Sequence, residues 1–271
     1  MTQRHVGAYA LNLLTYVVAV VLVFPALWLA LTAFKTEVAA YSSPPTIIFR
    51  PVLDNFASAL GDYTHPFVNS LIIVGCSTLA ALALGLPAAF SAAIRPTRRV
   101  GDLLLWVVST RFMPAVGAIV PLYLIFKNLG LLDTHLGMII VYTAMNAPLV
   151  VLIMYSFFRD IPREIIEASL VDGASGLRSF MAVVLPLAMP GIATSALLCS
   201  IFSWNEFFFA VNLTNTTATT LPVYMSSFMT SEGFFWSRMS AAATLAVLPV
   251  VLLGWMAQKH LVRGLTLGAV R

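Results

Sequence analysis

Apolar residues in this chain come in runs too long for a water-excluding core, and that sets the solvent in which it folds. A helix needs roughly 20 residues to cross a hydrocarbon layer, and six stretches can be placed at about that length: 13–34, 67–94, 103–126, 136–158, 183–213 and 239–261. In lipid every backbone N–H and C=O must be satisfied inside the protein, which leaves helices or closed barrels. The expected fold is therefore all-α and polytopic, with six transmembrane helices. Charged residues make up only 10% of the 271 positions, against about 25% in soluble domains. We expect one membrane domain over 1–271 with no soluble appendage.

The first span follows Arg4 and ends near Ala30 and Ala33, as a cleaved leader does. Its apolar run exceeds the ~7–15 residues of a signal core, so it is expected to stay as an anchor. Lysine and arginine then set orientation, because cytoplasmic loops hold an excess of both. With six spans, one side carries Arg4, Arg95, Arg98, Arg99, Arg159, Arg163, Arg178, Lys259, Arg263 and Arg271. The other carries Lys35, Arg50, Lys127 and Arg238, with Arg111 inside the third span. Both termini are expected in the cytoplasm of an inner or plasma membrane. The net charge of +4 is thus a topology signal, and no basic stripe with interleaved aromatics points to nucleic acid. Cys76 and Cys199 fall within spans and read as apolar fillers. His5, His65, His135 and His260 are scattered, so no metal site or catalytic cluster is expected.

Prolines punctuate the spans at Pro25, Pro87, Pro114, Pro121, Pro148, Pro186, Pro190 and Pro249. Singly these read as packing kinks; Pro114 and Pro121 around Gly117 suggest a deliberately broken helix. No internal repeat is evident, which counts against secondary transporters built from paired repeats.

One polar island, Arg159 to Ser179, stands out on the cytoplasmic side. Asp160 suits an N-cap, Pro162 the first turn and Gly173 the left-handed position after the last. Ile161 to Asp172 then makes a helix about 18 Å long, too short and polar to cross the bilayer. Three acids, Glu164, Glu167 and Asp172, face an anionic leaflet, whereas helices that lie on membranes favour lysine and arginine. The small Ala168, Ser169 and Ala174 let another backbone approach. Protein docking is the expected role.

Glu167-Ala168-Ser169-Leu170-Val171-Asp172-Gly173-Ala174, with Val184-Leu185-Pro186 following, resembles the EAA loop of ABC importer permeases, with Ser169 where alanine is common. Pro121-Leu122-Tyr123, Gly130-Leu131-Leu132-Asp133-Thr134, Phe202-Ser203-Trp204-Asn205-Glu206 and the terminal Gly264-Leu265-Thr266-Leu267-Gly268-Ala269-Val270 resemble signatures of the carbohydrate-uptake branch. Thr110 to Gly117 and Gln258 to Gly264 are similar to sugar-alcohol importers. The resemblance implies the type I importer permease fold, with an EAA coupling loop at 159–186 and a cytoplasmic tail at 262–271. It implies a second homologous permease, two ATPase subunits and an extracytoplasmic solute-binding protein as partners, besides membrane lipid. Glu164, Glu167, Ala168, Ser169, Asp172, Gly173 and Ala174 would couple to the ATPase, and Gly264, Leu265, Thr266 and Gly268 would touch it from a flexible tail. No G-x-x-x-x-G-K-[ST] phosphate loop occurs in the chain. No cofactor is expected on it, ATP and magnesium belonging to the partner ATPases.

A sugar or polyol calls for donors and acceptors beside aromatic surface, and Arg111, Tyr142, Asn146, Trp204, Asn205 and Glu206 are the candidates within spans. Intramembrane charge is costly and usually functional. Each also has a structural reading: Glu206 near the outer interface as a gate or support, Arg111 on a carbonyl freed at the Pro114 break, Trp204 as an interface anchor, Tyr142 and Asn146 bonded to a neighbouring helix. The competing functional classes are a self-contained secondary transporter, which needs a mid-membrane coupling carboxylate, a permease for glycerol phosphate, and a membrane enzyme.

Overall fold

Helices follow the apolar runs but break where proline or a captured backbone group forces them to. The structure, a computed structural model, describes residues 2–94, 98–230 and 233–269, and side chains at 11–94, 98–229 and 233–256. In chain order the elements are α1 (Thr2–Thr32), α2 (Glu37–Ala40), α3 (Asp54–Ile94), α4 (Val100–Arg111), α5 (Ala115–Leu129), α6 (His135–Arg159), α7 (Arg163–Val171) and α8 (Gly176–Ser179). A π-helical turn (Phe180–Val184) follows, then α9 (Leu185–Leu187), α10 (Met189–Trp204), α11 (Phe208–Leu213), α12 (Leu221–Ser226), strands β1 (Met229–Thr230) and β2 (Gly233–Phe234), and α13 (Trp236–Ala269). β1 and β2 form a short antiparallel pair.

Among the described residues four helices, α1, α3, α6 and α13, are each long and apolar enough to cross a membrane; counting two bent pairs as one span each gives six. The expected third span is one such pair. α4 and α5 meet at 84°, because Pro114 has no N–H to continue α4 and opens α5 instead with φ −59°. Two 3₁₀-type bonds, Phe112 N to Ser109 O and Met113 N to Thr110 O, close the first half. Ser109 and Thr110 hydroxyls donate back to the carbonyls of Trp106 and Val107.

The expected span 183–213 is not one helix. Pro186 cannot donate to Ala182 and Pro190 cannot donate to Pro186, so the ladder widens to the π-helical turn and bends by 77° between Leu187 and Met189. Ala188 N splits its bond between the carbonyls of Val184 (3.0 Å) and Leu185 (3.1 Å). The helix stops again at Trp204 and resumes at Phe208. The second span is longer than hydropathy suggests: α3 runs 41 residues from Asp54 with Pro66 inside it, since hydropathy marks only the lipid-compatible part of a helix.

The chain divides into two compact units, Met1–Thr64 with Tyr224–Leu248, and His65–Val223 with Pro249–Arg271. In the first, Asn55 donates to the carbonyls of Ala33 and Lys35. The Glu37 carboxylate accepts from Ser237 N and Arg238 N, capping the start of α13.

The second unit holds two apolar clusters. Ala81, Ala89, Val150, Met154, Phe158, Phe180, Val184 and Cys199 are buried in one, and Ile73, Phe126, Met138, Tyr142, Phe209 and Leu213 in the other. Lipid gives helices no hydrophobic drive to associate, so close packing must hold them. A Cβ on Gly191 of α10 would lie 2.6 Å from the Phe157 ring of α6, and one on Gly85 of α3 would lie 2.6 Å from Val150 of α6. α6 is thus gripped from both sides by backbones that approach where there is no side chain.

Candidate functional site

The polar island folds into α7, a nine-residue helix about 14 Å long. It is shorter than the sequence suggests, because Pro162 disfavours helical geometry at Ile161. Asp160 is therefore not its N-cap; it caps the C-terminus of α6, its N–H bonded to Ser156 O. Pro162 occupies the capping position with no side-chain bond. At the other end Gly173 takes φ +82°, the left-handed conformation that costs glycine least. Gly173 N reaches Leu170 O and Ala174 N reaches Ser169 O, closing the helix.

One face of α7 turns inward. Ile166, with Ile161 just ahead of the helix, packs on the cluster containing Phe158 and Phe180. Ser169 is buried, its hydroxyl 2.6 Å from that of Ser179 and 2.7 Å from Ile166 O. Ser169 is thereby corrected from a docking contact to an internal strut: its small size serves this chain's own packing. Phe90, Phe158 and Phe180 stack beneath it with centroids 4.6–6.2 Å apart. The outward face carries Glu164, Glu167, Ala168, Asp172 and Gly173, all exposed, with Ala174 half-buried. Val171 is 87% exposed and Leu170 48%. These two aliphatic residues were missed; their excess over the helix's inward stripe was the available signal.

Gly264, Leu265, Thr266 and Gly268 do not form the expected flexible tail. Backbone helix continues through them to Ala269, since no proline follows Pro249; their side chains lie outside the described residues.

The second group lies where α4, α6 and α10 meet. Arg111 donates to the carbonyl of Met145 on α6 at 2.8 Å, not to one at its own helix break, and stacks over the Phe202 ring at 4.6 Å. Asn146 Nδ2 donates to Ser203 Oγ at 2.7 Å, while its buried Oδ1 has no partner. Tyr142 OH donates to Glu206 Oε2 at 3.1 Å and faces Glu206 O at 3.3 Å. Phe209 N (2.9 Å) and Ala210 N (3.1 Å) donate to the same carboxylate. Glu206 therefore does not extend along α10; it sits in the gap after Trp204 and caps α11. Asn205 is exposed and bonds to Ile201 O. Trp204 is buried edge-on to Phe67 at 6.1 Å and so is not an exposed interface anchor. The contacts link Arg111 to Phe202 and Met145, Asn146 to Ser203, and Tyr142 to Glu206, with Tyr142 and Asn146 buried and Phe202 and Asn205 exposed.

The Gly130-Leu131-Leu132-Asp133-Thr134 motif makes a third feature. Asp133, at φ +54°, accepts from the N–H groups of Asn215, Thr216, Thr217 and Ala218. Partial burial pushes its carboxyl up, but these four donors outweigh that and hold it well below the usual carboxylate range. Asn69 bonds the same loop at the carbonyls of Thr217 and Thr219 and accepts from His135 at 2.7 Å. Among the described residues no group of His, Cys, Asp or Glu is placed to hold a metal.

Residues 85–267 match the family model described as binding-protein-dependent transport system inner membrane component. The chain is 34% identical to a probable ABC transporter permease of Sinorhizobium fredii, over 100% of this chain and 98% of that one. It is 30% identical to the trehalose/maltose transport system permease of Thermococcus litoralis, over 93% of each. Its fold is similar to that of a bacterial ABC transporter involved in import of the acidic polysaccharide alginate, with TM-score 0.77, 21% identity and coverage of 96% of this chain and 98% of that one.

Proposed function

The chain belongs to the family of binding-protein-dependent transport system inner membrane components, and from that premise we propose that it forms half of the translocation pathway of an ATP-driven importer for a sugar or sugar alcohol. It is a permease and not an enzyme, ATP hydrolysis residing on a separate subunit. In our reading all of 1–271 is one permease domain, paired with a second, homologous permease. Two ATPases with their ATP and magnesium dock on the cytoplasmic side, which also holds both termini, and a solute-binding protein delivers cargo from the other.

The observation that carries this reading is the outward face of α7, acidic at Glu164 and Glu167 and apolar at Leu170 and Val171. Such a face at the end of a capped helix suits a cleft on another protein better than water or an anionic leaflet. Closure of the ATPases around ATP would carry α7 with them, and the Ser169–Ser179 contact and aromatic stack would pass that displacement to α10. ATP and the loaded binding protein drive the change only through their different affinities for the two orientations. Gly264, Leu265, Thr266 and Gly268 would add a second ATPase contact. Arg111 and Asn205, beside Phe202, would meet the solute, with Tyr142, Asn146, Trp204 and Glu206 holding the wall in shape. The sugar class is supported by the trehalose/maltose relative and by a wall that mixes donors with aromatic surface.

The test is the assembled transporter in proteoliposomes bearing Glu167→Lys or Gly173→Pro. The second is informative because proline cannot adopt φ +82°. Both variants should insert, hydrolyse ATP and fail to import a radiolabelled solute from a panel of sugars, polyols and glycerol phosphate. Import with normal ATP coupling in both would remove α7 from the coupling role. A preference for glycerol phosphate would leave the permease reading intact and replace the sugar.

A further inference from the structure

Within the first unit a cavity of about 530 Å³ opens between α1 and the start of α13. Its walls are Phe24, Trp28 and Leu29 on one helix and Trp236 and Met239 on the other, and Lys35 lines it. Lys35 lies three residues past the end of α1, where a lysine ordinarily stretches into water. Instead it is 2% exposed, its ammonium 4.3 Å from the Trp28 ring centroid and 5.4 Å from that of Phe49. Among the described residues the ammonium has no carboxylate and no hydrogen-bond acceptor. The carboxylate nearest in sequence, Glu37, is engaged with the N–H groups of Ser237 and Arg238. Two aromatic faces favour a cation but accept none of its three N–H bonds, so an anionic oxygen entering the cavity would find them free.

We propose that this cavity holds one anionic glycerophospholipid, its phosphate diester on the Lys35 ammonium and an acyl chain along Phe24, Trp28, Leu29 and Trp236. The apolar walls demand a hydrocarbon as well as an anion, so a free phosphate would leave most of the cleft unfilled. A choline headgroup would bring a second cation towards the lysine, so the site selects lipids with net negative charge. The bilayer around a membrane-spanning chain supplies such a ligand.

The experiment uses the purified, assembled transporter, delipidated in a neutral detergent. Its melting midpoint is followed during titration with dioctanoyl phosphatidylglycerol, dioctanoyl phosphatidylcholine and glycerol phosphate. Wild type should show a saturable rise with phosphatidylglycerol alone, and Lys35→Gln should weaken its apparent affinity about tenfold or more. Leu29→Trp, which fills the chain slot and keeps the ammonium, should abolish the rise and decides the matter if Lys35→Gln fails to assemble. An equal rise with phosphatidylcholine, the same rise with glycerol phosphate, an unchanged response in Leu29→Trp or Lys35→Gln, or no response in wild type because a partner subunit fills the cleft would each overturn the assignment.

Discussion

Replacing Glu206 with glutamine removes the charge on which three donors converge. Phe209 N lies 2.9 Å from Oε1, and Ala210 N and Tyr142 OH each lie 3.1 Å from Oε2. An amide offers one acceptor oxygen, so in either flip its NH₂ confronts at least one N–H or O–H. The side that loses its acceptor is buried, Ala210 being 0% and Phe209 8% exposed. A hydrogen bond to a charged group is worth about 1.5–3 kcal/mol and an orphaned buried donor costs about 1–3 kcal/mol. With partial relaxation Glu206→Gln should cost roughly 2–4 kcal/mol, or roughly 4–16 °C in melting midpoint. Tyr142→Phe, which deletes one of the three donors, should cost about 1 kcal/mol alone and much less beside Glu206→Gln, a coupling of about 0.5–1.5 kcal/mol. Thermal unfolding of the purified transporter carrying each single variant and the double variant measures all three. Because the carboxylate faces Tyr142 and α11, the surviving Glu206→Gln protein should keep its order of preference among solutes. A midpoint within about 1 °C of wild type, or strictly additive variants, would refute the claim that this carboxylate holds α11 to α6.

Asn146→Ala frees the Ser203 hydroxyl behind the Arg111–Phe202 wall and should alter relative uptake across a sugar and polyol panel; a profile matching wild type would discard that wall as the solute contact. Asp133→Asn should lower the melting midpoint at pH 5–8. Since the folded carboxyl titrates below its unfolded value, wild type holds this advantage above about pH 4 and loses it as the pH falls through the lowered folded value; a difference that grew on acidification would contradict the four-donor geometry. Gly191→Val drives a side chain into the Phe157 ring, so it should destabilise by about 1–3 kcal/mol, read as a lower midpoint. Leu170→Ser with Val171→Ser should weaken ATPase retention during purification without lowering that midpoint.

Much of the fold was legible because lipid leaves few options: the apolar runs lie in α1, α3, α6 and α13, and Pro114 marks the broken third span. The left-handed Gly173 was readable too, from its place after a run of helix formers. What escaped was set by distant partners. The gap after Trp204 contains no proline or glycine; it exists because Glu206 turns back to take N–H groups from the next helix and a hydroxyl from α6, 64 residues away. Ser169 looked like a docking residue because nothing in a linear reading reveals that Ser179 stands opposite. His65 and His135 stand 70 residues apart in the sequence, and only the fold sets the Asn69 amide between them. Asp160 misled because it suited either the end of one helix or the start of the next, and the fixed geometry of Pro162 decided between them.

The 77° elbow between Leu187 and Met189 bears on how such a chain can change in length. Each residue added to a helix rotates everything beyond it by about 100° and advances it by 1.5 Å. One insertion between Pro186 and Pro190 would therefore swing Ser203 away from Asn146 and carry Gly191 off the Phe157 ring. Drift in length should accordingly be confined to the loops, and the spacing from Gly173 to Glu206 should behave as a fixed measure, tolerant of substitution and intolerant of a changed count.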